Sequence, residues 1–272
     1  MIILVTFFRW IDYLSNLSRV GQILERVEQT TSKSLRSRCQ SPYLGGRPLN
    51  QVPDDAVALV SDQIGYIEHL DIGTLDSIAA KADGRIYATN LSGTFVDTAQ
   101  PMAWLSWEPD ERERDALQRA FVVGSERSFE QDPRFGLIAL SEIASRALSP
   151  GVNDPGTAID VIGRVVKVLW NWTDPESAEA EIRHPNVFVP ALSIADLFDD
   201  AFSSIIRDGA DTLEVGIRLQ KALAILAAFH DAPFTENARR YAALALRHAE
   251  AVLRLDEEKE ILRSLADDVG ES

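Results

Sequence analysis

The sequence has few residues of several kinds, and each shortage excludes a class of protein. Cys39 is the single cysteine, which excludes a disulfide framework and favours a reducing compartment. The four histidines include no pair spaced i, i+4, so they give no basis for a zinc site. Glycine-rich phosphate loops and GxSxG nucleophile elbows are also missing. The residues alone therefore identify neither a cofactor nor a metal.

Long hydrophobic runs are equally scarce. The apolar start of the chain is interrupted by Arg9 after eight residues, whereas a membrane-spanning helix needs about 20 apolar residues. The basic residue follows the apolar run and no cleavage site comes after it, unlike a secretory signal. The later apolar stretch 219–229 is short and contains Lys221. As given, this chain has no complete transmembrane span.

Basic residues are fewer than acidic residues, 27 against 42, and they are unevenly distributed along the chain. The net charge is −15 and the pI about 4.7, which predicts no nucleic-acid binding. Residues 1–40 nevertheless have a net charge of +3, and the remainder −18. An apolar, mildly basic leader before an acidic body is typical of a membrane-proximal helix. We therefore expect a membrane surface or a membrane-embedded partner to contact residues 1–38.

The hydrophobic pattern predicts an α+β fold in three parts. Residues 1–41 form a long amphipathic connecting helix, since apolar residues recur at intervals of three and four over 4–38. Residues 42–125 form a small, mostly β unit, barrel-sandwich-like in its glycine-plus-strand pattern SGTFVDTAQPMAWL, with the charged stretch 108–115 as solvated surface. Residues 126–272 form a mainly α-helical unit, with helices predicted over 133–148, 155–171, 191–208, 211–230 and 235–266.

Two interpretations of the apolar helix faces stay open. The stripe on 4–38 is either a packing or coiled-coil surface, or the face of a helix that leaves or lies on a membrane. The same stripe, together with the apolar face of 211–230, could bury contacts between subunits. A homo-oligomer is therefore one of the predictions.

Two Asp-Pro dipeptides are the most distinctive local feature. Asp132 and Asp154 can each cap the helix that follows, because the next residue is a proline at the first helical position. Capping needs one side-chain oxygen, yet the flanking segments offer further polar groups. The candidate ligand-binding residues are Arg127, Gln131, Asp132, Ser149, Asn153, Asp154 and Thr157.

Three functional hypotheses start from these residues. If the two helix starts meet, their positive ends and Arg127 form an anion-binding corner. If the carboxylates point outward, Asp132, Asp154 and Asp160 offer oxygen ligands to Mg²⁺ or Ca²⁺. The third is an enzyme, and it requires Arg127, Asp132, Asn153 and Asp154 to converge on one open pocket.

Four further segments are distinctive: GYIEHLDIGTL (65–75), GTFVDTAQPMAWL (93–105), the long central run from RAFVVGSERSFEQDPRFG to LSPGVNDPGTA (119–158), and FSSIIRDGAD (202–211). Together they resemble the bacterial family of predicted membrane proteins known as DUF2254. The resemblance implies transmembrane helices followed by a part that faces the cytoplasm, and it implies no activity, substrate or cofactor.

The start of the chain departs from that family pattern. It begins where the water-exposed part would, inside the connecting helix. We therefore expect residues 1–14 to be the remnant of a membrane-exit helix, in a truncated reading frame, a partial gene model or a soluble paralogue. The expected role is ligand sensing, regulation or assembly at the membrane.

Overall fold

The computed structural model describes residues 2–172, 181–229 and 232–271, with the backbone alone for residues 2–19, 229 and 271. The helices in these ranges are α1 (Ile2–Gln40), α2 (Ile72–Lys81), α3 (Glu111–Ala120), α4 (Pro133–Leu148), α5 (Pro155–Leu169), α6 (Ile194–Asp208), α7 (Leu213–Phe229), α8 (Ala232–Val252) and α9 (Asp256–Glu271). The strands are β1 (Arg47–Pro48), β2 (Val57–Val60), β3 (Gly65–Leu70), β4 (Ile86–Tyr87), β5 (Phe95–Val96), β6 (Pro101–Leu105), β7 (Phe121–Gly124) and β8 (Val187–Val189). The fold is mixed α+β, as expected.

The second half of α1 belongs to the protein core. Leu24 and Leu35 are buried in the same apolar cluster as α4 and α5. Thr31 lies on that face and contacts α4 at Gly136, where a Cβ would overlap Thr31 Oγ1, so the two helices approach closely. Val20 and Val27 of the predicted stripe pack against the same cluster. The earlier side chains of the stripe lie outside the described residues, namely Phe7, Trp10, Ile11, Leu14 and Leu17.

Two open sheets make up the β-rich part. The five-stranded sheet has the order β1-β8-β4-β6-β2, and the three-stranded sheet has the order β5-β3-β7. Strand β8 pairs in parallel with β1 and β4, although its residues follow α5 in the chain. The barrel-sandwich-like prediction is wrong, because strands of two residues, such as β1, β4 and β5, are too short to wrap a sheet onto itself. The domain ranges 1–41, 42–125 and 126–272 remain a prediction.

The charged stretch 108–115 is helical in part, which the sequence analysis missed. Asp110 accepts a hydrogen bond from Glu113 N at 2.8 Å, and the Glu113 side chain accepts one from Asp110 N at 3.1 Å. This reciprocal pair is a capping box that starts α3. Only Leu117 and Ala120 of α3 are buried. The segment therefore has too few apolar residues for a helical repeat to be recognised among its charges.

Helices α4 to α9 surround the same helical core to which α1 contributes, and this core has aromatic residues at its centre. Phe198 contacts Phe202 and Phe234 with ring centroids 5.6 and 5.1 Å apart. The single helix predicted over 235–266 is wrong, since α8 ends at Val252 and α9 begins at Asp256. Three acidic residues in the first turn of α9 favour a helix start there.

Helix α7 packs against α5, α8 and α9. Val215, Leu219, Leu223 and Leu226 are buried in this packing. It occupies the apolar face that the sequence offered for subunit contacts, and homo-oligomerisation remains a prediction.

Candidate functional site

The β-rich part has its own core, which buries Leu59, Ile67 and Leu75 and is separate from the helical core. A cavity of about 450 Å³ lies where these two cores meet, lined by Leu91 from the first and Leu192 from the second. Four chain segments form its wall: the end of α1, the loop after β4, the segment leading into α4 and the segment leading into α6. The lining residues are Arg38, Thr89, Leu91, Ser92, Gly93, Thr94, Arg127, Gln131, Asp132, Pro133, Arg134, Pro190, Ala191, Leu192, Ser193 and Asp196. Three of the seven predicted site residues are among them.

Asp132 is a buried helix cap paired with an arginine. Its side chain is 2% exposed, and Oδ1 accepts a hydrogen bond from Phe135 N at 3.1 Å. Oδ2 accepts a hydrogen bond from Arg127 Nε at 2.8 Å and lies 2.6 Å from Nη2 of the same guanidinium, as an ion pair. Burial raises the pKa of Asp132 above its ordinary value, and Arg127 opposes that rise. The Arg127 guanidinium also lies over the Phe135 ring, 5.3 Å from its centroid.

The loop after β4 closes over this ion pair at a glycine. Gly93 has φ +92°, a left-handed conformation that residues with a side chain rarely adopt. A Cβ at this position would overlap the Asp132 carboxylate and would lie 2.8 Å from Arg127 Nη2. The backbone of Gly93 therefore lies directly against the pair.

Gln131 fixes the same loop to the three-stranded sheet. Its Oε1 accepts hydrogen bonds from Leu70 N at 2.9 Å and from Ser92 Oγ at 3.0 Å. Its Nε2 donates to Leu70 O at 3.3 Å. Both the side-chain oxygen and the side-chain nitrogen of Gln131 thus form hydrogen bonds that join the loop after β4 to β3.

Arg134 joins the starts of α4 and α6. Its guanidinium contacts Asp196 at 2.6 Å and Asp200 at 2.6 Å. The hydrogen bond to Asp200 and the charge of both aspartates raise the pKa of Arg134, while partial burial opposes the rise. Its charge is therefore compensated by two carboxylates, of which Asp196 lines the cavity and Asp200 lies one turn further along α6.

Arg38 is the lining residue that sequence reasoning missed. It is 5% exposed, and its Nη2 donates to Pro190 O at 2.9 Å. Its Nε has no hydrogen-bond partner among the described residues, and none of their carboxylates forms an ion pair with it. Burial lowers the pKa of Arg38 to about 10, so the guanidinium stays charged at neutral pH.

The helical spacing of α1 could have predicted that Arg38 faces the interior. This residue comes seven residues after Thr31 and three after Leu35, which are both buried, so the spacing puts all three on one face of α1. In the sequence, Arg38 stands out only as one of the basic residues among residues 1–40.

The second Asp-Pro junction lies elsewhere. Asp154 Oδ1 accepts from Thr157 N at 3.1 Å and Oδ2 from Thr157 Oγ1 at 2.7 Å. Asn153 has φ +51°, a conformation that asparagine tolerates. Ser149 Oγ donates to Arg146 O at 2.7 Å at the end of α4. Asp154 and Thr157 line a different surface pocket, beside Leu24 of α1.

The two junctions do not converge. Asp132 precedes α4 and Asp154 follows it, and a helix of 16 residues is about 24 Å long. The set Arg127, Asp132, Asn153 and Asp154 therefore does not share one pocket, which removes the geometry that the enzyme hypothesis required. Among the described residues, no group of three or more histidine, cysteine or acidic side chains is placed to hold a metal ion. Asp160, the third suggested ligand, pairs with Arg164 at 2.9 Å.

Comparison with known families decides where the chain belongs. The model of the family of predicted membrane proteins named DUF2254 matches residues 1–225. The chain is a member of the DUF2254 family.

Curated relatives of this DUF2254 protein come from mycobacteria. An uncharacterized protein of Mycobacterium tuberculosis strain H37Rv, Rv1290c, is 35% identical over 117 residues, which is 40% of this chain and 22% of that protein. An uncharacterized protein of Mycobacterium bovis, Mb1321c, matches with the same identity and coverage. The match thus spans about a fifth of the length of these relatives. No solved structure matches the chain.

A helix that spans a membrane needs about 20 mostly apolar residues. In the part of this DUF2254 chain that the structure describes, every helix is too short or too polar to cross a bilayer.

Proposed function

We propose that this chain is the cytoplasm-facing, ligand-sensing part of a membrane protein, and that the ligand binds in the cavity where the two cores meet. The observation that supports this proposal is Arg38. A guanidinium that is 5% exposed, charged and without a carboxylate partner among the described residues is unfavourable unless a ligand compensates it.

The position of the cavity favours sensing. Its wall joins α1 to the loop after β4 and to the starts of α4 and α6. A ligand held by Arg38 would therefore stabilise one arrangement of α1 relative to both cores. Because α1 continues into the apolar leader, occupancy of the cavity would be communicated towards the membrane.

The chemistry of the wall favours binding over catalysis. The carboxylate of Asp132 is held by Arg127 on one oxygen and by Phe135 N on the other. Both oxygens are thus committed, and the group is poorly placed to accept a proton from a substrate.

Blocking the mouth of the cavity tests ligand binding. Ala191 lines the cavity and is exposed, so Ala191→Trp adds bulk at the mouth without disturbing either core. We expect native mass spectrometry of the full chain, purified gently from bacterial cells, to detect a bound small molecule that this variant loses. Ala251→Trp, at an exposed position on α8, is the matched control. Equal retention by both variants would contradict the proposal.

Membrane contact through residues 1–38 is a separate part of the proposal. Removing the leader up to Pro42 would also remove Leu24 and Leu35 from the core, so point substitutions are better. Leu14→Glu and Asn16→Glu add the same charge on roughly opposite sides of the helix. We expect Leu14→Glu alone to reduce flotation of the full chain with vesicles containing anionic lipid. Equal flotation of both variants and the wild type would count against attachment by this face.

A further inference from the structure

The cavity has one positive charge that the wall does not neutralise. Arg127 is compensated by Asp132, and Arg134 is compensated by Asp196 and Asp200. Among the described residues, Arg38 donates a hydrogen bond to the carbonyl oxygen of Pro190, and its Nε has no partner. An occupant of the cavity that supplies negative charge and acceptor oxygens would satisfy this side chain.

Other donors in the wall come from separate chain segments. Ser193 caps α6, and its Oγ accepts from Asp196 N at 3.2 Å, so its own hydrogen is directed elsewhere. The positive end of the α6 dipole lies at the same place. Thr94, in the loop after β4, adds a hydroxyl to the lining. Donors that several chain segments contribute to one cavity suit a tetrahedral oxyanion better than a planar carboxylate, which a single guanidinium can bind edge-on.

We infer that the cavity binds a phosphate group, held by Arg38, by the hydroxyls of Thr94 and Ser193, and by the N-terminus of α6. This inference rests on the proposed function, because it names the chemical class of the ligand at the same site. The volume of about 450 Å³ is within the range of small-molecule sites. It leaves room beside the phosphate for the rest of a phosphate monoester, against Leu91 and Leu192.

Phosphate binding is measured on the full chain in phosphate-free buffer at constant ionic strength. The probes are inorganic phosphate and glycerol phosphate, and the control anions are acetate and chloride. We expect both phosphate probes to raise the thermal unfolding midpoint in a saturable manner, and acetate and chloride to leave it unchanged. A stronger effect of glycerol phosphate identifies an ester as the ligand, and equal effects identify the free ion; either result supports the phosphate site.

Arg38→Met removes the charge and keeps the length of the side chain. We expect it to weaken binding of inorganic phosphate at least tenfold, because it deletes the one cavity-lining charge that no described carboxylate pairs with. Without phosphate the unfolding midpoint of Arg38→Met should equal or exceed that of the wild type, since a buried unpaired charge disappears. Arg36→Met, at an exposed position two residues earlier on α1, should bind phosphate within twofold of the wild type.

Several results would overturn the inference. The first is a wild-type chain whose midpoint responds to phosphate no more than to chloride, whatever the variants do. The second is a response to phosphate that Arg38→Met and Ala191→Trp both leave intact, since binding would then lie elsewhere. If acetate stabilises the chain and phosphate does not, the phosphate assignment fails while ligand binding in the cavity stands. If Arg38→Met does not fold, Arg38→Lys decides, because a point charge should still bind phosphate with reduced affinity.

Discussion

The two Asp-Pro junctions are nearly identical in local structure and differ in their surroundings. Asp132 has φ −123° and ψ 83°, and Asp154 has φ −117° and ψ 80°. Each accepts a hydrogen bond at 3.1 Å from the amide three residues later. The second oxygen of Asp154 binds a hydroxyl within its own helix turn, whereas that of Asp132 binds Arg127 in the wall of the cavity. The same dipeptide thus caps a helix in both places and contributes to a candidate site in only one.

The difference shows which part of a motif is local and which part depends on the rest of the fold. Thr157 is three residues from Asp154, so a short segment contains the whole arrangement. Asp132 depends on Gly93 and on burial by the loop after β4, which the chain supplies from a distant segment. Removing each carboxylate should therefore have unequal consequences.

The largest expected effect comes from Asp132→Ala compared with Asp154→Ala. Loss of a helix cap alone lowers the free energy of unfolding by about 1 kcal/mol, which is the expected result for Asp154→Ala. Asp132→Ala also leaves Arg127 without its carboxylate in a mostly buried position, and we expect a loss of about 3 kcal/mol. Urea unfolding followed by tryptophan fluorescence measures both. Equal losses would mean that Asp132 is no more than a cap.

A smaller change in stability is expected for one glycine near each junction: Gly93, which lies against Asp132 in space, and Gly151, which is three residues before Asp154 in the sequence. Gly93→Ala forces a side chain into a left-handed conformation and against the Asp132 carboxylate, so we expect a loss of about 2 kcal/mol in the free energy of unfolding. Gly151 precedes Asp154, has no left-handed φ, and a Cβ there would meet no atom within 4 Å. Gly151→Ala should change the free energy of unfolding by less than about 0.5 kcal/mol. A similar small change at Gly93 would show that the loop is free to move away from the ion pair.

Sequence reasoning succeeded where the information is local. The start of α4 at Pro133 and of α5 at Pro155 follow from the Asp-Pro dipeptides, because capping and the fixed φ of proline act within one helical turn. It failed at α3, where exposed charges conceal a short helix with only two buried residues. It also merged α8 with α9, since no proline or glycine occurs between Val252 and Asp256.

The candidate site was predicted in part for the same reason. Arg127, Gln131 and Asp132 lie in one short segment that leads into α4, so their proximity follows from the sequence. Arg38 reaches the cavity only because α1 packs on α4 and β8 brings Pro190 to its guanidinium. Such a contact joins residues 152 positions apart, and no spacing rule in a single sequence predicts it.

The smallest of the three effects is the pH dependence of Asp132, because Arg127 offsets much of the influence of burial. The pKa of Asp132 is raised above 3.8 in the folded chain, chiefly by desolvation. The folded state therefore binds this proton more tightly than the unfolded state, and protonation stabilises the fold. That contribution is complete below pH 3.8 and is lost as the pH rises through the raised pKa of the folded state.

Asp132→Asn provides the reference, since asparagine does not titrate. We expect the free energy of unfolding of the wild type, minus that of Asp132→Asn, to decrease as the pH rises above 3.8. Asp71, the cap of α2, gives the opposite sign: hydrogen bonds from Thr74 lower its pKa, so its contribution is present above 3.8 and is lost as the pH falls through the lowered value. If the Asp132 difference instead increases with pH, then attraction to Arg127 outweighs burial. The contrast between the two junctions would then rest on the ion pair, and Arg127 would be less available to any ligand in the cavity.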